Sequence, residues 1–211
     1  MKEYWKIAHE KYSQKDWIKK PTIFAQSVIG YFPTKGKILE LGAGQGPDSR
    51  FFSKQGFEVT STDLSECALG ISRQNAEKEN LEIKFLELDM EKDLPFEDNS
   101  FDVVYAHLSL HYFTDKRTRE IFQEIRRVLK PGGIIAALFN TVDDKETKDQ
   151  NFKIIEEDYY ESPEGLRKRF FTVDYVKKIT EGFFAVIIAD AKGESYKDDI
   201  KTLIRFVGRK K

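Results

Sequence analysis

The chain has 211 residues, with 35 Lys+Arg against 36 Asp+Glu, a formal net charge of −1 and a single cysteine, Cys67. That length suits one domain with a sizeable core, the near-neutral balance argues against a nucleic-acid partner, and one cysteine excludes a disulfide framework or a multi-cysteine metal site. The opening MKEYWKIAHEKYSQKDW has no apolar signal-peptide core, and no apolar run approaches the ~20 residues that span a bilayer, so a cytoplasmic protein without a membrane partner is expected.

Residues 1–20 are polar, punctuated by Tyr4, Trp5, Tyr12 and Trp17. From Pro21, the positions Ile23, Phe24, Ser27, Val28 and Tyr31 recur at helical spacing and predict one helix face, closed by Phe32-Pro33-Thr34. The stretch KILELGAGQGPDS, Lys37 to Ser49, reads as a short buried strand, a turn with three glycines and the start of a helix. Glycine admits positive φ and leaves room for a ligand where a Cβ would stand. The helix opening at Pro47 or Asp48 turns free N–H groups toward the same space and stops at Gly56. A strand then runs from Phe57 to Thr62 and ends at Asp63. Ser65 caps a helix to about Lys78, with Ala68, Leu69, Ile71 and Ala76 inward.

A third strand, Ile83 to Leu88, leads into Asp89-Met90, and a fourth spans Phe101 to Ala106. The helix from about Asp115 to Leu129 buries Ile121, Phe122, Ile125, Val128 and Leu129, and Lys130-Pro131-Gly132-Gly133 predicts a stop and turn. Ile134 to Asn140 is continuously apolar, as in a strand buried on both faces. This alternation predicts an α/β sheet covered on both sides. After a charged insertion at 141–171, a helix at 172–180 and two strand-like runs, 183–189 and 202–208, close the chain. The connection between those runs is too short for a crossover helix, so a hairpin is expected, putting one antiparallel strand in an otherwise parallel sheet. The expected organisation is one domain: an N-terminal segment at 1–33, a core at 37–140, the insertion, and a C-terminal helix and hairpin at 172–211.

The glycine turn narrows the ligand. Read from Gly42, the dinucleotide fingerprint G-x-G-x-x-G puts its third glycine on Pro47; read from Gly44, on Ser49. Both frames fail, and no Gly-Lys-Ser/Thr follows for a phosphate loop. An acidic strand end, Glu40, followed by alternating glycines suits a cationic ligand without phosphates. With E-x-G-x-G-x-G at 40–46, FDVVYAHLSLHYF at 101–113 and RRVLKPGGIIAALFN at 126–140, the sequence resembles the class I S-adenosylmethionine-dependent methyltransferases. Among them it is most similar to small bacterial-type enzymes such as the tellurite-resistance methyltransferases. The resemblance implies a Rossmann-like, mostly parallel seven-stranded sheet with an antiparallel last strand, and S-adenosylmethionine as cofactor.

Three predicted strand ends carry acids, Glu40, Asp63 and Asp89, and ligands of open α/β sheets sit beyond such ends. Asp63, followed by Leu64, lies about twenty residues past the turn, the spacing at which an acid reaches ribose hydroxyls. By resemblance, Asp89 and Met90 meet the adenine, Glu40 balances the methionine ammonium, Gly42, Ala43 and Gly44 lie beneath the methionine and ribose, and Ala106 and His107 border the sulfonium. His111 is the candidate base, with packing as the equal alternative. Tyr112, Tyr159, Tyr160, Tyr12 and Trp17 are candidate pocket walls, and Glu156, Glu157 and Asp158 a solvated face or an attraction for a cationic acceptor. A small-molecule acceptor (O, N, S or metalloid), no nucleic acid, no metal, and a monomer or homodimer are expected. A noncatalytic protein that binds the same cofactor is the alternative reading.

Overall fold

The computed structural model describes residues 2–12, 16–194 and 203–211. A helix α1 (Lys2–Tyr12) and a short α2 (Ile23–Val28) precede the first strand, β1 (Lys37–Leu41). The chain then alternates: α3 (Pro47–Lys54), β2 (Glu58–Asp63), α4 (Glu66–Lys78), β3 (Ile83–Glu87), β4 (Phe101–His107), α5 (Asp115–Val128) and β5 (Leu129–Asn140). Three short strands follow, β6 (Lys153–Glu156), β7 (Tyr159–Glu161) and β8 (Arg167–Arg169), then α6 (Val173–Thr180), β9 (Phe184–Gly193) and β10 (Leu203–Lys210).

The seven long strands form one sheet in the order β3-β2-β1-β4-β5-β10-β9. Pairing is parallel from β3 through β5, whereas β10 runs antiparallel to both β5 and β9. The order reverses between β1 and β4, and the crevice beyond their carboxyl ends is where an open α/β sheet receives ligands. The expected fold class stands, with the antiparallel strand inserted between β5 and β9. Both faces are covered: Leu39, Val104, Ile135 and Phe139 meet α5 and α6 through Phe122, Ile125 and Val176, while Ile38, Val103, Tyr105 and Ala136 pack on Phe24, Val28 and Phe52.

Three local expectations are corrected. The helix after Pro21 stops at Val28 and tightens into a 3₁₀ turn over Ile29–Tyr31. The faster rotation of that turn carries Tyr31 off the predicted face; Ile23 and Tyr31 are exposed, and Ala25 is buried with Phe24 and Val28. In α4, Ser72 takes the inward place given to Ile71. Lys130-Pro131-Gly132-Gly133 does not end an element, because β5 begins at Leu129 and absorbs these residues as an irregularity opposite Phe101 and Val103.

The insertion folds as a separate three-stranded antiparallel sheet, β6-β7-β8. Its ends are tied together where Phe171 N–H donates to Asn140 O (2.9 Å) and Val142 N–H to Phe171 O (3.1 Å). Arg169, 3% exposed, clamps it to the core by donating to Phe113 O, Glu157 O and the Glu156 carboxylate, which also accepts from Asp115 N–H. Among the described residues, no helix is long and apolar enough to cross a membrane.

Candidate cofactor and acceptor site

The turn that leaves β1 has Gly42 at φ +71° and Gly44 at φ +56°. A Cβ on Gly42 would stand 2.4 Å from the Ser109 Cβ, and one on Gly44 3.0 Å from the His9 Cε1. The glycines therefore admit protein side chains closely, whereas the sequence had pointed only to a ligand above them. Ser109 uses that space to donate to Leu41 O at 2.5 Å, locking the turn to the loop after β4. In that loop Leu108 holds φ +52°, a left-handed conformation for a branched side chain, while its N–H donates to Leu138 O.

Three buried carboxylates surround the turn. Glu40, 3% exposed, accepts from Ser49 Oγ, and burial, with Asp48 nearby, pushes its pKa well above the ordinary value. Asp48, near the start of α3, accepts from Thr22 N (2.7 Å), Thr22 Oγ1 (2.9 Å) and Tyr105 Oη (2.7 Å). Burial outweighs these donors and raises it to about 6. Asp63 accepts from Gly44 N and Ser65 N, both at 2.8 Å, and burial raises its pKa as well. Each Asp63 oxygen keeps acceptor capacity toward the crevice, since a carboxylate offers about four lone-pair sites. Asp89, half-buried, accepts from Glu91 N–H, while Met90 O is held by Arg117 Nε at 2.9 Å.

Two cavities open here. One, of about 120 Å³, is lined by Asp63, Leu64, Leu88, Asp89, Met90 and Phe113; the other, of about 300 Å³, by Glu40, Ala43, Asp48, His107, His111 and Asn140, among others. They share Trp5, His9, Gly42, Gly44, Leu108 and Tyr112. Both segments outside the seven-stranded sheet reach the larger cavity, α1 through Trp5, His9 and Tyr12, and the insertion through Asp144, Glu146 and Lys168. Trp5 packs edge-on against Tyr112 at 5.1 Å between ring centroids, and Gln45 Nε2 donates to His9 O at 2.7 Å. A larger open hollow of about 690 Å³ lies at the other ends of β1 to β3, beside Lys37, Glu58 and Ile83.

Burial disfavours the protonated imidazoles here. Burial lowers His107 to about 4, and burial with the Lys168 ammonium holds His111 well below the ordinary histidine range. His111 is 2% exposed, and among the described residues neither ring nitrogen has a hydrogen-bond partner. Lys168 is itself bound to Glu146 at 2.7 Å.

Not every expected residue faces the crevice. Ala106 is core, 1% exposed. Tyr159 lies behind the wall: its hydroxyl donates to Tyr112 O at 3.0 Å and the Arg169 guanidinium covers its ring at 5.1 Å. Tyr160 packs on Phe170. Neither lines the two cavities: neighbouring positions on β7 alternate faces, so Tyr159 meets Arg169 while Tyr160 meets Phe170. Glu156 is taken by Arg169 and the start of α5. The Trp17 side chain lies outside the described residues. Conversely, His9, Thr22, Gln45, Asp48, Asn140 and Lys168 line the larger cavity without having been singled out. Of these, Asp48 alone had a local signal, an acid opening the helix after the glycine turn.

The donor set fits an adenosyl sulfonium. The smaller cavity has carboxylates at Asp63 and Asp89 and no Lys or Arg in its lining, so a pyrophosphate there would meet like charge, while hydroxyls, an amine and a cation find acceptors.

Comparison with known proteins agrees. Residues 38–133 match the methyltransferase domain family. The chain is 38% identical over 106 residues to the ubiquinone/menaquinone biosynthesis C-methyltransferase UbiE of Burkholderia mallei, covering 49% of this chain and 42% of that protein. It spans less than half the length of the curated relatives it matches. The PH0226 protein of Pyrococcus horikoshii has the same fold (TM-score 0.76, 23% identity, 96% of this chain and 99% of that one). So does the 1,6-didemethyltoxoflavin-N1-methyltransferase of Burkholderia thailandensis (TM-score 0.72, 17% identity, 99% and 84%), solved with its substrate and S-adenosylhomocysteine. Residues 38–133 thus match the methyltransferase domain family, and the chain shares its fold with solved methyltransferases.

Proposed function

We propose that this protein transfers a methyl group from S-adenosylmethionine to a small-molecule acceptor. The observation that carries the reading is the pair of cavities meeting over the glycine turn, with strand-end carboxylates on one side and the buried, unpartnered His111 on the other. Asp63 takes the ribose hydroxyls, Asp89, Met90 and Leu64 border the adenine, and Glu40 with Asp48 faces the methionine ammonium, whose charge favours the ionised carboxylates that burial opposes.

When bound, the cofactor supplies a methyl already activated by its sulfonium. What the protein adds is alignment and exclusion of water. The acceptor occupies the larger cavity between Tyr112, Tyr12 and the insertion. His111 accepts a hydrogen bond from its O–H or N–H, orienting the nucleophile's lone pair. As a neutral imidazole with a depressed pKa it holds a proton weakly, so it serves acceptors whose proton becomes acidic as the new bond forms. Carboxylates outnumber ammonium groups in this lining, where Glu40, Asp48, Asp144 and Glu146 face Lys168. That balance favours a neutral or cationic acceptor over a metalloid oxyanion. The small molecule bound by the toxoflavin enzyme, and the biosynthetic C-methylation for which UbiE is named, support a small-molecule acceptor.

A thermal-shift comparison of S-adenosylhomocysteine, S-adenosylmethionine, NAD and NADP tests the cofactor. Ligand at one hundred times its dissociation constant adds roughly 2.7 kcal/mol of apparent stability, about 5–10 °C for a domain of this size. A shift with NAD and none with the adenosyl compounds would overturn the reading. Release of S-adenosylhomocysteine from labelled cofactor in the presence of metabolite fractions then tests turnover.

A further inference from the structure

His9 stands where the two cavities meet. It is 8% exposed, its Cε1 would lie 3.0 Å from a Cβ on Gly44, and its backbone carbonyl is held by Gln45 Nε2. Its Nδ1 is buried and has no hydrogen-bond partner among the described residues. A buried polar atom left unpaired is costly, so a group that satisfies it is stabilised at that position. The Asp63 carboxylate lines the same cavity and interacts electrostatically with His9; it is bound by Gly44 N–H and Ser65 N–H.

We propose that His9 is a second ligand of the cofactor ribose, carried by α1 and facing Asp63 across the glycine turn. The proposal rests on the cofactor reading above. Under it, a ribose hydroxyl that donates to Asp63 meets His9 Nδ1 with its oxygen or with a second hydroxyl, and the orphaned nitrogen is satisfied only when ligand is bound. The α/β core then holds part of the adenosyl site and α1 completes it. Gly44 has a stated purpose as well, since a side chain there would displace the His9 ring.

The test is calorimetric titration of the full chain with S-adenosylhomocysteine and with a 2′-deoxy and a 3′-deoxy analogue of 5′-methylthioadenosine. Against the ribose ligands, His9→Ala is expected to lose about 3- to 10-fold in affinity, the equivalent of one neutral hydrogen bond. Against the analogue lacking the contacted hydroxyl, the variant and the wild type should bind alike. His9→Gln, which keeps a polar side chain on α1, should lose less. If His9→Ala melts lower without ligand, the deoxy comparison still decides, because a general loss of folded protein weakens every ligand equally. Equal losses with all ligands, or unchanged affinity, would make His9 a packing residue and overturn the proposal. Tighter binding by His9→Ala would overturn it in the other direction, making α1 a plug that the cofactor must displace. If the wild-type chain fails to bind S-adenosylhomocysteine at all, the cofactor reading itself falls and this proposal with it.

Discussion

Removing the Asp63 carboxylate tests fold and function together. Asp63→Ala strips the acceptor from Gly44 N–H and Ser65 N–H, both bonded at 2.8 Å. Each buried N–H left unpaired costs roughly 1–3 kcal/mol. Part of that is offset, because burial raises the Asp63 pKa and the charge is no longer held out of water. A net loss of about 1–3 kcal/mol corresponds to a fall of ~3–10 °C in melting temperature. The sequence alone pointed to Asp63 only as a ligand contact; its two backbone bonds make the residue structural as well. Cofactor affinity should fall further, since one charge-assisted bond contributes on the order of 1.5–3 kcal/mol, or about 10- to 150-fold. Asp63→Asn keeps one acceptor oxygen and should melt closer to the wild type while still binding poorly. Differential scanning calorimetry and titration with S-adenosylhomocysteine read the two effects separately. A folded Asp63→Ala chain with unchanged melting and affinity within twofold would refute both halves of the argument.

Other consequences are equally open to measurement. The Asp48 pKa of about 6 in the folded chain lies above the ordinary 3.8, so its proton stabilises the fold below pH ~4 and that contribution is lost as pH rises through 6, by up to about 3 kcal/mol. Melting curves of the wild type and Asp48→Asn from pH 4 to 7 should therefore diverge, and parallel curves would remove Asp48 from the balance. If His111 takes the acceptor's proton, His111→Ala should slow transfer by ~10²–10⁴-fold with cofactor affinity unchanged. The wild-type rate should stay flat as pH falls through 6.5, because the depressed pKa keeps the imidazole neutral; a rate that halves there would contradict it. Finally, α1 and the insertion each line the larger cavity, so backbone amides in both should gain hydrogen-exchange protection with S-adenosylhomocysteine, and identical protection in both states would count against a closing role.

What the sequence determined by itself is local. A buried strand, three glycines and a helix start are consecutive residues, so β1, the turn and α3 were readable, as was Asp63 at the end of β2 and Asp89 just beyond β3. The alternation of strand and helix, and the short final connection, carried the sheet class with its antiparallel strand. Tertiary structure decided which side chains share space. Asp48 meets Thr22 and Tyr105 across 26 and 57 positions, and Gly42 makes room for Ser109, which reaches back 68 positions to Leu41. Glu146 and Lys168 pair across the insertion's own small sheet. Tyr159 and Tyr160 were aromatic in a polar segment and so drew attention as cavity walls, yet strand pairing turned them to Arg169 and Phe170. His9 sat in a charged helix with nothing beside it in sequence to mark it. Its place between Gly44 and Asp63 arises only when α1 docks on the turn, because periodicity records which face of an element is apolar and says nothing of which element arrives to cover it.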